Sequence, residues 1–237
     1  MIALSRHFMT CVILQPSYLP WRGYFHQVQK ADFFVFYDDV QYDKHGWRNR
    51  NRIKTPQGPQ WLTIPVKKKG NVEHHRTIQE IEISWDRPWN KKHHLTIQQA
   101  YQHAPFYEEW EPFLRETYAG SPTHLASFTI ALTTALARRL GIAHTRFLRS
   151  SELSVSGQHT ERLIGIVRQV GCDRYVTGPS AKSYLEEERF AEAGIDLEYM
   201  SYDYPAYPQL YPPFDARVSV LDLLFMTGPD ASKYIWG

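Results

Sequence analysis

Residues able to do chemistry follow the first apolar run of the chain. Residues 11–14 are short and apolar with two β-branched members, which indicates a buried strand, and Pro16 and Pro20 then force the chain out of a regular ladder. The turn that follows contains one polar amide, three rings that could stack on a base or a sugar, and a glycine that a ligand could approach closely: Gln15, Tyr18, Trp21, Gly23 and Tyr24. We interpret this turn as one wall of a small-molecule site, because packing does not explain a polar glutamine between strand and turn. A structural turn whose rings only pack is the alternative.

Two carboxylates, Asp38 and Asp39, follow the second apolar run, residues 33–37. Either one could orient a substrate amine or hydroxyl, act as a general base or hold a metal ion. Because side chains alternate along a strand, we expect only one of the two to face a cleft. A solvated strand end is an equally good explanation.

A polar stretch with embedded aromatic residues comes next, at residues 41–54. If residues 47–54 are extended, their two asparagines share one face and their basic residues share the other. One face could hydrogen-bond a sugar or amide, and a guanidinium could hold phosphate. The binding residues predicted here are Gln41, Trp47, Asn49, Arg50 and Asn51. The alternative is an edge strand protected by its charge.

Among the eleven histidines, His93 is the one candidate for acid–base chemistry. A helix over residues 89–101 would place Trp89, His93, Ile97 and Tyr101 on one face, since they are four residues apart. The adjacent pairs at 74–75 and 93–94 point apart, and no Cys-x-x-Cys or His-Glu-x-x-His spacing is present, so we predict no metal site.

Three further binding candidates lie in the second half of the chain. Gly178 and Lys182 follow a run, residues 173–177, that resembles a buried strand, and Lys182 could reach an anion, although an ordinary strand-to-helix turn is equally plausible. Gln209 lies in a segment rich in tyrosine and proline, residues 204–214, which could close over a ligand or simply cover a sheet edge.

No conventional nucleophile is evident. The sequence contains neither a Gly-x-Ser-x-Gly elbow nor a phosphate-binding P-loop. The two cysteines, Cys11 and Cys172, lie in apolar, strand-like positions, and we expect both to be buried, reduced thiols.

The elements that must position these residues alternate between strand and helix. The start of the chain predicts a strand–helix–strand unit, in which ligands usually bind beyond the carboxyl ends of the strands. Residues 61–66 and 77–84 are predicted as further strands, and residues 86–141 as a helical insertion or lid. We therefore predict an α/β fold with a mainly parallel sheet, in one domain that spans residues 1–237.

Composition excludes several classes of protein. Of the 237 residues, 43% are hydrophobic and 22% charged, which indicates a globular chain rather than a disordered one. The net charge of +2 provides no general attraction to nucleic acid or to an anionic membrane. No apolar run is long enough to span a membrane, and the first ten residues lack a secretory pattern, so we expect a cytoplasmic protein.

Several motifs closely resemble those of the WbqC-like protein family, and together they cover nearly the whole chain. They are QPSYLPWRGYF (15–25), AD (31–32), DDVQ (38–41), WRNRN (47–51), WLTIPV (61–66), YVTGP (175–179), YPQ (207–209) and VSVLDLLF (218–225). Members of that family are often encoded beside genes for O-antigen and other surface polysaccharides. The resemblance implies transfer of an acyl or aminoacyl group to an amino sugar.

A second, fold-level likeness concerns residues 15–24. The pattern of a strand followed by prolines and by Gly-Tyr at a helix start is similar to the pattern found in the nucleotidyltransferase group. This likeness implies a Rossmann-like sheet. That group holds phosphates with a His-x-Gly-His turn, whereas this chain has Trp21-Arg22-Gly23-Tyr24 and neither histidine. The likeness therefore implies anion binding at the helix start, without imidazole chemistry.

Our first functional hypothesis is a transferase acting on a nucleotide-linked amino sugar in O-antigen or other surface-polysaccharide synthesis. Its donor would be a nucleotide-sugar or a thioester-linked acyl group, and a carrier protein is a further candidate partner. The second hypothesis is a non-catalytic module that binds a nucleotide or glycan for a polysaccharide assembly complex. Nucleic-acid binding through residues 47–54 and 67–69 is a weaker alternative, and the prediction is that no nucleic acid binds. The sequence identifies no cofactor.

Overall fold

The computed structural model describes residues 8–67 and 75–237, and it divides the chain into two compact units. Of the described residues, the first unit contains 8–15, 27–37 and 142–202, and the second contains 16–26, 38–67, 75–141 and 203–237. The predicted helical insertion at 86–141 lies within the second unit. Whether the chain acts as one domain stays a prediction.

Strands and helices alternate along most of the described chain. The strands are β1 (Thr10–Leu14), β2 (Phe33–Phe36), β3 (Arg50–Thr55), β4 (Gly58–Thr63), β5 (Arg146–Arg149), β6 (Arg174–Thr177) and β7 (Asp196–Tyr199). The α-helices are α1 (Arg22–Lys30), α2 (Trp89–Tyr101), α3 (Tyr107–Ala119), α4 (Leu125–Arg139), α5 (His159–Gln169), α6 (Glu187–Glu192) and α7 (Val220–Thr227).

The first unit is built on a parallel sheet of five strands in the order β5-β2-β1-β6-β7. Cys11 in the central strand β1 lies opposite Phe33 of β2 and Tyr175 of β6. The strand order runs outward in one direction from β1 through β2 to β5, and in the other direction through β6 to β7. This reversal is the topology of a doubly wound, Rossmann-like sheet, so the predicted α/β class with a mainly parallel sheet is confirmed.

One face of this sheet packs on α5 and α6. Cys11, Ile13 and Val35 share a core with Val167 of α5 and Phe190 of α6. The two-residue period of a strand places alternate residues on the opposite face of the sheet. Both cysteines of the chain are free and buried, as expected.

The second unit combines an antiparallel hairpin, β3–β4, with helices α2, α3, α4 and α7. The strand predicted over residues 61–66 lies three residues earlier in the structure, because β4 begins at Gly58 and ends at Thr63. Pro65 cannot donate a ladder hydrogen bond, and only an isolated bridge between Val66 and Ile83 continues the pairing.

The strand predicted over residues 77–84 is not formed. Ile78–Glu80 is a 3-10 helix, and the pairing of this segment is limited to isolated bridges at Thr77, Glu82 and Ile83. The carboxylate of Glu80 accepts hydrogen bonds from the backbone N–H of Thr77 at 2.8 Å and from its hydroxyl at 2.7 Å. These local hydrogen bonds stabilise a turn in place of the strand that the alternating apolar pattern predicted.

The described part of the chain contains no helix that combines the length and the apolar character needed to cross a membrane. Residues 68 and 69 of the predicted basic cluster, and His74 of the first histidine pair, lie outside the described residues.

Candidate functional site

In the first unit, two predicted binding residues follow the strands at which the sheet reverses its order. Gln15 comes directly after β1 and Gly178 directly after β6, and both are half-buried. In open parallel sheets, ligands bind outside the carboxyl ends of the strands at this position. Gln15 and Gly178 therefore occupy the place in the first unit where topology favours a ligand.

The surroundings of Gly178 are polar and aromatic. A Cβ on Gly178 would lie 3.1 Å from the hydroxyl oxygen of Tyr202, which accepts a hydrogen bond from the Gln27 amide at 2.8 Å. Burial raises the pKa of Tyr202 to about 12, against the opposing effect of the Gln27 hydrogen bond. The ammonium of Lys182 lies 4.9 Å from the ring centre of Tyr199, the last residue of β7.

In the second unit, Tyr18 and His93 belong to a buried chain of hydrogen bonds. The hydroxyl oxygen of Tyr18 is 2.9 Å from Nδ1 of His93 and 2.5 Å from the hydroxyl oxygen of Tyr118. The His93 ring also hydrogen-bonds to the backbone of Thr63. If that bond is donated by Nε2–H to the Thr63 carbonyl, Nδ1 accepts from Tyr18, and both nitrogens are engaged.

Burial, with a smaller contribution from the charge of Lys92, lowers the pKa of His93 from 6.5 to about 4, against the effect of the Thr63 hydrogen bond. The imidazole is therefore neutral at pH 7. Because of its hydrogen bonds, His93 is better suited to positioning its neighbours than to exchanging protons with a substrate.

The two predicted carboxylates differ in exposure. Asp38 is completely buried, and its main-chain carbonyl accepts a hydrogen bond from the backbone N–H of Gln79 at 2.8 Å. Asp39 is half-buried. The carboxylate that a ligand could reach more easily is therefore that of Asp39.

The asparagines predicted to bind sugar are buried and hold the backbone of the second unit. The Asn49 amide donates to the carbonyl of Ile64 at 2.8 Å, and the Asn51 amide donates to that of Leu19 at 2.6 Å. The side-chain oxygen of Asn49 has no hydrogen-bond partner among the described residues. These contacts explain asparagine at this hairpin without a ligand, although they do not test the predicted binding role.

The rings of the 15–25 turn are also occupied by contacts within the second unit. A Cβ on Gly23 would lie 2.4 Å from the Trp21 ring, so the indole fills the space that the glycine leaves open. Trp21 contacts Tyr204 edge-on with ring centres 6.1 Å apart. Tyr24 is buried, which raises the pKa of its hydroxyl.

Gln209 is part of a buried polar network that the sequence did not reveal. Its amide donates to one carboxylate oxygen of Asp222 at 2.8 Å, and Tyr101 donates to the other at 2.8 Å. The Lys54 ammonium donates to the Gln209 side-chain oxygen at 3.3 Å. Burial raises the pKa of Asp222, against the effect of these donors. The VSVLDLLF motif was the available signal, since a carboxylate within an apolar helix needs a partner.

Gln41, Trp47 and Arg50 lie at the surface or close to it. The Gln41 amide nitrogen is 3.0 Å from Nδ1 of His75. Trp47 is 46% exposed and lies against Trp61, with ring centres 5.4 Å apart. The guanidinium of Arg50 lies 4.8 Å from the ring centre of Trp61 and donates to the carbonyl of His45.

A groove of about 820 Å³ lies between β4 and the start of α2 in the second unit. Its lining includes Trp61, Thr63, Trp89, Lys92 and His93. Its volume is in the range of small-molecule sites, about 300–1,000 Å³. Another groove, of about 620 Å³, is lined by residues of α5 and α6 in the first unit and contains none of the predicted site residues.

Neither unit offers an evident metal centre. Within residues 8–67 and 75–237, no group of three or more histidine, cysteine, aspartate or glutamate side chains could hold a metal ion.

Comparison with known proteins places the chain in a family. No solved structure matches it. It is 40% identical over 225 residues to the protein named "Uncharacterized protein Rv1507c" of Mycobacterium tuberculosis (strain ATCC 25618 / H37Rv), which covers 94% of this chain and 96% of that protein. The sequence model of the WbqC-like protein family matches residues 15–234. The chain therefore belongs to the WbqC-like protein family.

Proposed function

We propose that the protein is a transferase that moves an acyl or aminoacyl group onto the amino group of a nucleotide-linked sugar, in the synthesis of O-antigen or another surface polysaccharide. The observation that carries this proposal is the reversal of strand order between β1 and β6, with Gln15 and Gly178 directly beyond those strands. Membership of the WbqC-like family supports the link to polysaccharide synthesis.

The reaction requires no covalent intermediate on the enzyme. The amine nitrogen of the sugar attacks the carbonyl carbon of a thioester, the new C–N bond forms, and the C–S bond breaks. The departing thiolate takes up the proton that the nitrogen loses. Binding both substrates in this geometry can supply much of the rate enhancement, in agreement with the lack of a nucleophile motif. A carrier protein is one possible source of the thioester.

Asp39 is the proposed group that orients or deprotonates the amine. It is half-buried, whereas Asp38 is fully buried. His93 is proposed as a positioning residue, since its ring already bonds to Tyr18 and to Thr63.

Binding is tested first, by thermal denaturation with nucleotides, nucleotide amino sugars and coenzyme A thioesters, each with and without magnesium. A ligand that binds only the folded protein must raise its melting temperature. We expect one class to do so, and Gln15→Ala to abolish the increase. Gln29→Ala is the matched control, because Gln29 is another half-buried glutamine, at the opposite end of the first βα unit. No increase with any class, or equal loss in both variants, contradicts a ligand site at Gln15.

Turnover is tested second, by mass spectrometry of the amide product formed from the ligand pair found in the first screen. We expect Asp39→Asn to abolish product formation while the shift in melting temperature survives.

A non-catalytic module that binds a nucleotide or glycan is the second candidate function. Two of the three predicted catalytic groups favour this candidate, because Asp38 is fully buried and the ring of His93 is already hydrogen-bonded within the protein. This candidate predicts binding without any product, and unchanged binding in both Asp38→Asn and Asp39→Asn.

A further inference from the structure

We infer that the groove between β4 and α2 is a binding site for a sugar that carries a phosphate group. This site lies within the second unit and does not depend on the transferase activity proposed above. Three features of its lining carry the inference: exposed aromatic surface, unpaired positive charge, and polar groups that can bind hydroxyls.

The aromatic surface is formed by Trp61, which is 45% exposed and lines the groove. Trp47 supports it from one side, and the guanidinium of Arg50 lies 4.8 Å from its ring centre. Trp47 and Trp61 form one contiguous exposed surface, and contiguous exposed apolar surface marks interaction sites more often than single scattered residues do. The guanidinium of Arg52 also lies over the Trp61 ring, 5.7 Å from its centre. The part of the indole that stays exposed suits the C–H groups of a pyranose, and the guanidinium groups suit an anionic substituent.

The positive charge comes from Arg87 and Lys92, which are exposed on the same lining. Neither side chain forms an ion pair with any residue that the structure describes. A third cation, Lys67, is already bound to Glu82. The lining therefore offers two cations that are available to a phosphate group.

Two further groups of the lining can bind sugar hydroxyls. Asp86 is the carboxylate on the described lining, and it accepts a hydrogen bond from the Ser84 hydroxyl at 2.6 Å, which leaves further acceptor positions. Trp89 also lines the groove, and only 4% of its surface is exposed. Its indole N–H has no hydrogen-bond partner among the described residues, and a buried donor of this kind normally has one.

This combination discriminates against a neutral sugar, which would leave both cations unused. A nucleotide such as UDP could stack its base on Trp61 and place its phosphates on the cations, so it is a competing ligand in the test. A single-stranded nucleic acid could stack on the indoles and bind the cations, so it is included in the test as a competing outcome.

The test is calorimetric titration of the whole protein with glucosamine 1-phosphate, N-acetylglucosamine, UDP-N-acetylglucosamine, UDP and a short single-stranded oligonucleotide. We expect the two phosphorylated sugars to bind at least about tenfold more tightly than the neutral sugar, which lacks the charge-assisted hydrogen bonds. We also expect their affinity to fall between 50 and 300 mM NaCl, because the cations are exposed to solvent.

Lys92→Gln should weaken binding of the phosphorylated sugars by about tenfold, the loss expected for one charge-assisted hydrogen bond. Lys91→Gln is the matched control, since Lys91 is an exposed neighbour on α2 that does not line the groove. Trp61→Ala should weaken binding of the phosphorylated and the neutral sugar alike. Urea denaturation of each variant confirms that it is folded.

Four results overturn the inference. They are the absence of binding by both phosphorylated sugars, equal affinity for the neutral sugar, equal losses in Lys92→Gln and Lys91→Gln, and tighter binding of UDP or of the oligonucleotide than of either phosphorylated sugar. Lys92 lines this groove and Gln15 does not, so the effect of Lys92→Gln separates failure of this inference from failure of the proposed function.

Discussion

Acidification from pH 6.5 to pH 4 is expected to destabilise this protein through one buried histidine. His93 is 5% exposed, and its Nδ1 lies 2.9 Å from the Tyr18 hydroxyl. Burial is the largest cause that lowers the pKa of this imidazole from 6.5 to about 4. The folded protein therefore keeps the ring neutral over a range of pH in which the unfolded chain protonates it.

The sign of the effect follows from proton binding. Between pH 6.5 and pH 4 the unfolded state binds more protons at this residue, so the free energy of unfolding falls as the pH falls. Each pH unit of difference between the two pKa values corresponds to about 1.4 kcal/mol, so the full loss is about 3 kcal/mol. Above pH 6.5 the residue contributes no pH dependence, and below pH 4 its contribution no longer changes.

Urea denaturation at several pH values between 7 and 4 measures this loss. Other groups also titrate over this range, so the quantity to compare is the pH dependence of the natural protein minus that of His93→Gln. Glutamine can still hydrogen-bond but does not titrate, and the variant should lose about 3 kcal/mol less than the natural protein on acidification.

His103→Gln provides the control, because His103 is exposed and lies just beyond the end of α2. If this variant changed the acid destabilisation as much as His93→Gln does, the effect would come from the loss of any histidine and not from the buried ring. Parallel curves for the natural protein and His93→Gln would refute the reasoning, since the buried ring would then have the same affinity for protons in both states.

Two further predictions concern stability, and each compares a buried position with an exposed one by urea denaturation. Gly23→Ala places a methyl group against the Trp21 ring and should cost about 1–3 kcal/mol, and removing that ring in the Trp21→Ala background should reduce the cost. Gly120→Ala meets nothing closer than 4.0 Å and should change stability by less than about 0.5 kcal/mol; an equal cost for the two glycines contradicts this account. Asp222→Asn should cost about 2–4 kcal/mol, because it replaces one of two acceptor oxygens by an NH₂ donor that faces a buried donor, Tyr101 or Gln209, at 2.8 Å. Asp230→Asn removes only a surface ion pair and should cost less than about 0.5 kcal/mol; similar losses in both carboxylates would show that the buried network contributes little.

Some elements were predictable because their signals are local. The helix predicted over residues 89–101 matches α2 in its bounds, since its buried residues recur at four-residue spacing and Pro88 marks its start. Residues 11–14 and 33–36 form neighbouring parallel strands, because apolar, β-branched and aromatic runs of that length fit a buried sheet. The second strand ends one residue before the predicted end at residue 37. Strand–helix alternation was sufficient for the α/β class.

Other elements depended on competition between local and distant contacts. The alternating isoleucines of residues 77–84 predicted a strand, but the carboxylate of Glu80 closes a turn on Thr77. The strand expected at residues 61–66 forms three residues earlier, because its partner is β3 and the hairpin turn sets the register.

The sequence by itself determined the family, the α/β class and the positions of Gln15 and Gly178 at strand ends, because motifs and periodicity are properties of short segments. Only the tertiary structure decided which polar side chains already have partners. Asn51 is bound to Leu19, Tyr18 to His93, and Gln209 to Asp222, each across many residues of chain. A buried polar group must be satisfied by whatever the fold brings beside it, and sequence spacing alone does not show that neighbour.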